Sequence, residues 1–410
     1  MNLNKKSILF VAQYSDAGAV SGNNRFDDLA RRYAELGEFS RVDFVTSRFK
    51  HAKKENKNSA KFFKLSGVNY RLINTPAYKK NVSILRFVSN IVFAIKLWFL
   101  LSHKKYKDTS LYYVAFPTPE AAAIAIWWAS KRSIKIVLDV QDIWPEVFNL
   151  VKEKKGVYRF FYKIYQRISG YCYQKSNIIV SVSDTYIQVA KSYGAVSPMY
   201  SCFLGSSRLK LLNNSNGCKE KFEIVNNKVR VAFLGTVGAS YDLFTVIDAI
   251  KIANSPNLRF ELTIIGDGPS LEEVLKYASS LSVEINFLGR VPYVDAMSYL
   301  MECDIAVNSF HPKATQSIVN KHGDYALAGL PVISNQKCDE YTSLLLKYNA
   351  GLTVSCKDPN SFAEALITLG MDEKKRKLLS AGSCRMGLDE FDRDNTYPKL
   401  IKWIANSLKI

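Results

Sequence analysis

Residues 229–240 read VRVAFLGTVGAS, an apolar run that changes abruptly into small residues. The run indicates a buried β-strand, and the amphipathic spacing from about Leu243 predicts a helix directly after it. Gly235 and Gly238 stand between the two, where backbone N–H groups can approach a phosphate at the helix N-terminus. A tight turn also uses glycine for its geometry alone, so this single turn indicates the fold more firmly than a ligand.

The same alternation of strand and helix extends in both directions from this stretch. In the second half it predicts strands at 229–234, 260–265, 285–288, 305–307 and 331–333, with helices centred on 243–253, 270–280, 292–301, 319–328 and 340–348. In the first half it predicts strands at 8–12, 42–45, 111–114, 134–138 and 177–180. Such alternation is typical of parallel sheets with crossover helices, and predicts an α/β fold of two doubly wound, Rossmann-like domains.

The polar, glycine-containing stretch 205–217 marks the seam between these halves. We predict an N-terminal domain over 1–205 and a C-terminal domain over 206–389, with a C-terminal helix at about 390–410 packing back on the first domain. Ligands of doubly wound sheets bind beyond the carboxyl ends of the strands. The cleft between two such domains facing each other is therefore the expected site.

The chain has 410 residues, 48% of them hydrophobic, which excludes a disordered tail or a small disulfide-stapled module. Fifty-six Lys and Arg against 37 Asp and Glu give a net charge of +19. Such a field attracts anions: nucleic acid, phosphorylated metabolites or an anionic membrane. Much of the excess lies in the first half, in the segments 48–64 and 152–175, so the charge is concentrated on one predicted domain.

The N-terminus, the cysteines and the histidines bear on compartment and metal binding. The apolar run at 8–12 is too short for a signal-peptide core and reads as a first strand. The seven cysteines are odd in number and form no C-x-x-C motif, which favours reduced thiols in a cytoplasmic protein. The four histidines include no pair at metal-ligand spacing, so no metal site is expected.

Two segments of the first half suggest contact with a membrane surface. Residues 82–102 form the most apolar stretch, but Arg86 and Lys96 within it make a membrane-spanning helix unfavourable. The segment reads either as a buried domain helix or as an interfacial helix. In the second segment, basic residues recur every four positions beside aromatic ones, which suits either a lipid headgroup layer or a solvated helix face. These basic residues are Lys155, Arg159, Lys163 and Arg167.

Further strand ends in the second half carry polar turns, at 264–269 (IIGDGP) and 287–292 (FLGRVP). The segment 321–333 reads KHGDYALAGLPVI and begins with a predicted helix. Lys321 and Asp324 share one face of that helix, because they are three residues apart. A cation there can meet a diphosphate while a carboxylate accepts from sugar hydroxyls. Taken alone, the two residues also read as an exposed helical ion pair.

The order and spacing of these motifs resemble the nucleotide-binding half of GT-B glycosyltransferases, specifically glycosyltransferase family 4, over about 230–370. In the first half, LDVQDIWPE at 138–146 is similar to the Asp-x-Trp-Pro-Glu element of bacterial members that build surface polysaccharides. The resemblance implies a retaining glycosyltransferase that moves a sugar from a UDP- or GDP-linked donor. The implied acceptor is polyprenyl-diphosphate-linked or a polysaccharide, as in the synthesis of capsule, O-antigen or exopolysaccharide.

The resemblance also implies roles for individual residues. Lys321 would lie near the donor diphosphate, Asp324 on the ribose hydroxyls, and the backbone at Arg290 and Val291 near the base. The turn over Gly235, Thr236 and Gly238 would line the phosphates. In the first half, the loop at 16–22 resembles a glycine-containing loop that faces the donor phosphates. Its glycines are Gly18 and Gly22.

Three positions depart from the family's pattern. Many members carry Glu-x7-Glu, but Gln316 stands eight residues before Asp324 and supplies no carboxylate. Thr236, Tyr241 and Asp242 stand where many members have the arginine and the lysine of a diphosphate clamp, which leaves more of that task to Lys321. In the first half, Gln141 and Asp142 replace a common His-Asp pair. Asp142 is thus the best polar candidate near the reacting carbon, and Asp142 and Lys321 are the expected catalytic residues.

The implied mechanism needs no metal and no cofactor beyond the nucleotide sugar. It retains the anomeric configuration, the leaving diphosphate takes the acceptor proton, and the protein positions the groups and stabilises charge. The metal-binding Asp-x-Asp of the other major glycosyltransferase fold occurs only at 392–394, near a predicted terminal helix, and reads as surface charge.

Two other functions compete with this one. A nucleotide-sugar epimerase shares the two-domain architecture, although the element at 138–146 is not expected in it. A basic nucleic-acid binder would explain the charge, but no stacking platform or helix-turn-helix is recognisable, so no nucleic-acid partner is expected. Positive charge is concentrated on the first domain, which the resemblance implies holds the acceptor. This placement favours an anionic membrane instead. We expect the protein on the inner face of the cytoplasmic membrane, bound peripherally.

Overall fold

A computed structural model describes residues 6–15, 17, 24–51, 54–57, 59–80, 83–145, 157–207, 224–314 and 316–409. The chain divides into two compact units. The first comprises residues 1–202 together with 399–410, and the second comprises 203–398. Each is an α/β unit built on one large sheet, as the alternating sequence pattern predicts.

The sheet of the first unit has eight strands in the order β10-β9-β8-β7-β1-β2-β6-β5. All neighbouring strands pair in parallel except β5, which lies antiparallel to β6 at the edge. A separate two-stranded antiparallel sheet joins β3 and β4. The strands are β1 (Ser7–Val11), β2 (Arg41–Ser47), β3 (Phe49–Lys50), β4 (Glu55–Asn56), β5 (Phe62–Leu65), β6 (Val68–Ile73), β7 (Leu111–Ala115), β8 (Lys135–Val140), β9 (Ile178–Ser181) and β10 (Met199–Ser201).

Helices connect these parallel strands, as right-handed crossovers require. They are α1 (Arg25–Glu35), α2 (Ile84–Ser102), α3 (Pro119–Lys131), α4 (Val157–Lys175) and α5 (Asp184–Ser192). Three of them begin at side-chain caps: Asn24 accepts from backbone N–H groups of the first turn of α1, Ser83 accepts from Arg86 N–H in α2, and Ser183 accepts from Tyr186 N–H in α5. Within α2 one face is buried and the other is exposed, so the helix is only partly a core element.

A charged group lies at the centre of the first unit's core. Asp139 on β8 is fully buried and accepts a hydrogen bond from Arg25 Nε at 2.8 Å and another from the Tyr113 hydroxyl at 2.5 Å. Arg25 also donates to the carbonyl of Cys202 at 2.8 Å. Because a buried charge is costly unless it is paired, this cluster fixes how α1 packs on the sheet.

The second unit has a six-stranded sheet, parallel throughout, in the order β13-β12-β11-β14-β15-β16. Its strands are β11 (Lys228–Leu234), β12 (Arg259–Ile265), β13 (Ile285–Gly289), β14 (Ile305–Asn308), β15 (Val332–Ser334) and β16 (Gly351–Thr353). Its helices are α6 (Leu243–Ala253), α7 (Leu271–Ser280), α8 (Tyr293–Glu302), α9 (Asn320–Leu327), α10 (Asp339–Tyr348), α11 (Pro359–Met371) and α12 (Glu373–Met386). A last helix, α13 (Arg393–Leu408), starts in this unit and ends in residues assigned to the first.

The predicted strands and helices are confirmed in both units, and α6 has the predicted bounds. The sequence pattern did not reveal β3, β4, β5, β6, β10 or β16, which are short or lie near the edges of their sheets. One interpretation was wrong. Asp392 and Arg393 are buried rather than surface charges. Asp392 accepts from Asp394 N–H at 3.1 Å near the start of α13, and Arg393 Nε donates to the carbonyl of Leu204 at 2.8 Å.

Candidate functional site

Three strand-to-helix turns of the second unit stack on one another at the carboxyl ends of β11, β12 and β13. Gly235 N–H donates to the carbonyl of Ile265 at 2.9 Å, and Gly266 N–H donates to that of Gly289 at 2.8 Å. Gly266 has φ of +135°, and a Cβ there would lie 2.0 Å from the carbonyl oxygen of Gly235. Only glycine fits this approach, which brings the backbone of the turns together at the sheet edge where ligands of doubly wound folds bind.

Lys321, in the first turn of α9, lies directly beside these turns. A Cβ on Gly235 would be 3.7 Å from Lys321 Nζ. The lysine side chain is only 5% exposed, and its ammonium group has no hydrogen-bond partner among the residues that the structure describes. Burial lowers the pKa of Lys321 well below its ordinary value, an effect that nearby Asp324 opposes. Burying a donor without an acceptor costs free energy, and a bound anion would remove this cost.

Aromatic rings, rather than carboxylates, hold the Lys321 ammonium. It lies 3.5 Å from the ring centroid of Tyr241, 4.1 Å from that of Phe233 and 5.7 Å from that of Phe310. We call these three rings and the ammonium the lysine cage. Ring faces attract a cation without satisfying its N–H donors. The cage therefore orients the ammonium and leaves its hydrogen-bonding capacity unused.

Asp324, one turn further along α9, is also buried and accepts a hydrogen bond from the Tyr293 hydroxyl at the start of α8. Tyr293 lies 2.7 Å from the hydroxyl of Ser206 as well. Burial raises the pKa of Asp324 to about 7, against the opposing effects of Tyr293, Arg393 and Lys321. Lys321 and Asp324 do not form an ion pair with each other, and neither is exposed, so the alternative of a solvent-exposed helical pair is wrong.

The remaining predicted residues of this unit lie around the stacked turns. Gln316 Nε2 donates to Ser240 Oγ at 3.1 Å, which ties its segment to the glycine turn, while its Oε1 is buried without a hydrogen-bond partner. Thr236 and Arg290 are exposed, and Arg290 Nε lies 3.5 Å from a carboxylate oxygen of Asp267. Gly238 belongs to the turn after β11, and a Cβ there would lie 3.7 Å from the Pro269 ring. Val291 is half-buried against the core.

In the first unit, Gln141 and Asp142 follow β8 directly. Gln141 is half-buried and Asp142 is exposed. Desolvation by the surrounding protein raises the pKa of the Asp142 carboxyl group, and the Arg86 guanidinium opposes this effect. Gly18 and Gly22 lie outside the described residues, as does Lys155.

The residues of the second unit match a known family. Residues 228–372, which carry the stacked turns and the lysine cage, match the family model described as Glycosyl transferases group 1. The second unit is a group 1 glycosyltransferase domain. No curated protein sequence matches the chain.

Solved structures extend the comparison to the whole chain. Anabaena Alr3699/HepE, crystallised with UDP, aligns with a TM-score of 0.68 at 13% identity, over 98% of this chain and 100% of that chain. Sucrose-phosphate synthase from Thermosynechococcus elongatus aligns with a TM-score of 0.69 at 13% identity, over 98% and 99%. WaaG, a glycosyltransferase involved in lipopolysaccharide biosynthesis, aligns with a TM-score of 0.62 at 14% identity, over 97% and 99%. The chain shares their GT-B fold.

Two residues of the glycosyltransferase domain have a place in the site that the sequence did not reveal. In the sequence, Tyr241 marks only a departure from the family's diphosphate clamp, and Tyr293 lies within the predicted helix 292–301. Their partners are distant in sequence, and a single sequence carries no signal for such pairs. Among the described residues, no group of three or more His, Cys, Asp or Glu could hold a metal ion.

Proposed function

We propose that this enzyme transfers a sugar from a nucleotide-diphosphate donor to an acceptor at a membrane surface, with retention at the anomeric carbon. The observation that carries the proposal is the unpartnered Lys321 ammonium beside the Gly235 turn. A diphosphate would supply the acceptor oxygens that Lys321 lacks and would accept from backbone N–H groups of the stacked turns. UDP is the first donor base to test, since HepE was crystallised with UDP.

The chemistry assigned to these residues is stabilisation of the leaving group. The bond from the anomeric carbon to the diphosphate oxygen breaks, and the acceptor oxygen forms its bond on the same face. The acceptor proton passes to an oxygen of the departing phosphate. Lys321 stabilises the negative charge that develops on that phosphate, and such preorganised charge is among the largest contributions to catalysis. Asp324 accepts from a ribose hydroxyl with the carboxylate oxygen that Tyr293 does not occupy. Asp142, the best polar candidate near the reacting carbon in the sequence, is also proposed as a catalytic residue.

Calorimetric titration with UDP, GDP and their sugar conjugates tests this proposal. We expect saturable binding of one base, and release of that nucleoside diphosphate from its sugar conjugate. The K321Q variant should lose most of the affinity, because it removes a charge-assisted contact worth about 1.5–3 kcal/mol. Lys374→Gln, an exposed lysine on α12, is the matched control and should bind as the unmodified enzyme does. Equal binding by the K321Q variant would contradict the assignment.

The membrane location rests on an exposed surface of the first unit, formed by α2 and α4. Ile84, Val88, Ile95 and Phe99 are exposed and lie on one stripe of α2, because their spacings of four, seven and four residues repeat the helical period. Ile84 is 81% exposed and Phe99 is 69% exposed. Phe161 on α4 extends the surface, since its ring lies 5.8 Å from that of Phe87. We call this surface the α2–α4 face.

Positive charge is also exposed on α4, one of the two helices that form the α2–α4 face. Arg159, Lys163 and Arg167 are exposed on α4 at spacings of four residues. Apolar side chains beside basic ones suit an anionic bilayer, where each basic residue adds about 1 kcal/mol near the surface. Among the described residues, α2 is also the one helix that is long and apolar enough to cross a membrane, although 39% of its most apolar 18-residue stretch is buried. We propose that it lies on the inner face of the cytoplasmic membrane rather than across it.

Co-sedimentation with vesicles tests the membrane proposal. We expect binding to phosphatidylglycerol vesicles that exceeds binding to phosphatidylcholine vesicles, and at least tenfold weaker binding for Phe99→Glu. Leu346→Glu places the same charge at a 73% exposed leucine of the second unit and is the matched control. If both variants bind like the unmodified protein, the α2–α4 face does not contact the membrane.

A further inference from the structure

Three basic side chains of the first unit gather around two tyrosine rings. The rings of Tyr14 and His51 stack with centroids 4.6 Å apart, and His51 Nδ1 lies 2.5 Å from the Tyr78 hydroxyl. Lys54 Nζ lies 4.9 Å from the centroid of the Tyr78 ring. Arg86 Nε donates to the Tyr14 hydroxyl at 3.2 Å. We call these five residues the basic–tyrosine cluster.

The cluster lies where a doubly wound sheet places its ligands. Tyr14 follows β1, and Tyr78 follows β6, two strands that run parallel to β2 between them. His51 follows the short strand β3, and Arg86 belongs to the first turn of α2. Four separate segments thus converge beyond the carboxyl ends of the strands, which is the edge used for binding in such folds.

The electrostatics of the cluster favour an anionic ligand. Burial, together with the charges of Lys54 and Arg86, lowers the pKa of His51 to about 4. Burial and Arg86 likewise lower the pKa of Lys54. Asp142 and Glu120 also face Arg86, but the carboxyl group of Glu120 accepts from the Tyr165 hydroxyl and burial raises its pKa. An anion between the basic groups would relieve their mutual repulsion.

Aromatic side chains connect this cluster to the α2–α4 face. The ring of Phe87, on α2 beside Phe161, lies 6.4 Å from that of Tyr165. Tyr165 lies 5.5 Å from Trp144, and the Arg86 guanidinium lies 5.8 Å from the Trp144 ring. A continuous series of rings therefore leads from the exposed apolar surface to the basic groups. This juxtaposition fits an amphiphile with an apolar chain and an anionic head.

We propose that the basic–tyrosine cluster binds the phosphate of a lipid acceptor whose chain lies along the α2–α4 face. The assignment rests on the proposed glycosyl transfer and locates the phosphate or diphosphate of a lipid acceptor at these residues of the first unit. Arg86 is the specificity-determining residue, because its planar guanidinium can hold a phosphate in two parallel hydrogen bonds. Membrane phospholipids carry the same chemistry, so the experiment has to separate the two sources.

Titration of the full chain with farnesyl diphosphate, farnesol and inorganic pyrophosphate tests the proposal. We expect farnesyl diphosphate to bind tightest, and Arg86→Gln to weaken its binding at least tenfold. The K321Q variant should bind it unchanged, because the donor site is not involved. Lys131→Gln is the control for loss of a basic residue over an aromatic ring in the same unit. Tyr14→Phe removes the hydroxyl that Arg86 contacts and should weaken binding several-fold. This second variant keeps the proposal testable if Arg86→Gln does not fold.

Each other outcome overturns the assignment. If K321Q abolishes binding, the probe occupies the donor site. If neither Arg86→Gln nor Tyr14→Phe weakens it, the cluster is not the site. If Arg86→Gln weakens binding to phosphatidylglycerol vesicles but not to farnesyl diphosphate, the phosphate belongs to membrane phospholipid and not to an acceptor. Binding of UDP to the Arg86→Gln variant is measured in parallel. It should be unchanged, which separates failure of this proposal from failure of the donor assignment.

Discussion

Replacing Lys321 with methionine should stabilise the folded protein and weaken its binding of the donor. The lysine side chain is buried, and its ammonium group has no hydrogen-bond partner within the described part of the chain. Leaving a buried charged donor unsatisfied costs about 2–3 kcal/mol, and the attraction of the lysine cage offsets about 1 kcal/mol of that cost. Methionine fills a similar volume against the same rings. We therefore expect a gain of about 1–2 kcal/mol near neutral pH.

The gain should depend on pH in one direction. The folded-state pKa of Lys321 lies well below the unfolded value of 10.5, so the unfolded chain binds more protons between those two values. Stability of the unmodified protein therefore rises with pH through that window, at a slope of up to about 1.4 kcal/mol per pH unit. The methionine variant lacks this contribution. Its advantage should be largest below the window and should vanish as the pH approaches 10.5.

Thermal unfolding and UDP titration measure both effects in parallel. For a unit of this size, a gain of 1–2 kcal/mol raises the unfolding temperature by about 2–8 °C. Affinity for UDP should fall about 10-fold to 100-fold, as expected for loss of a charge-assisted hydrogen bond. Lys374→Met is the matched control and should change neither quantity. A variant that is less stable than the unmodified protein, yet binds UDP equally well, would refute the reasoning about a poised ammonium.

Three further predictions address the turns, the acid and the core. Gly266→Ala should lower stability by several kcal/mol or prevent folding, because its Cβ would lie 2.0 Å from a carbonyl oxygen. Gly238→Ala, measured in the same denaturation series, should be tolerated. Burial raises the pKa of Asp324 from 3.8 to about 7, so the folded state binds more protons than the unfolded chain between these values. The free energy of unfolding should therefore fall by at most about 4 kcal/mol from pH 4 to pH 7. Asp324→Asn should abolish this pH dependence. Arg25→Met should cost about 3–5 kcal/mol in urea denaturation, because it leaves a carboxylate buried without its cation, while Arg31→Met should cost under about 1 kcal/mol.

The central elements of both sheets could be predicted because their sequences carry a strong period. Strands such as β1 and β14 are short runs of mostly apolar residues that are buried on both faces, and the helices between strands repeat every three to four residues. The strand β5 lacks this signal. It lies at a sheet edge with mostly exposed residues and pairs antiparallel, so neither burial nor a crossover helix marks it in the sequence.

The candidate site could be predicted only in part. Lys321 and Asp324 follow from their place in an ordered series of motifs, but the sequence did not show that both are buried. The rings around Lys321 come from β11, the turn after it and the segment after β14, which the fold brings together across about 80 residues. The basic–tyrosine cluster has the same origin. Arg86 appears in the sequence as a charge that interrupts an apolar helix, and its function depends on Tyr14, which is 72 residues away.

A crystal structure of the enzyme with UDP tests the central claim most directly. It should place the diphosphate over the turn at Gly235, with a phosphate oxygen within hydrogen-bond distance of Lys321 Nζ and a ribose hydroxyl at Asp324. The ammonium should remain against the Tyr241 ring, because the lysine cage already orients it. A UDP molecule bound away from these turns, or Lys321 still without a phosphate contact when the site is full, would contradict the assignment of the second unit as the donor domain.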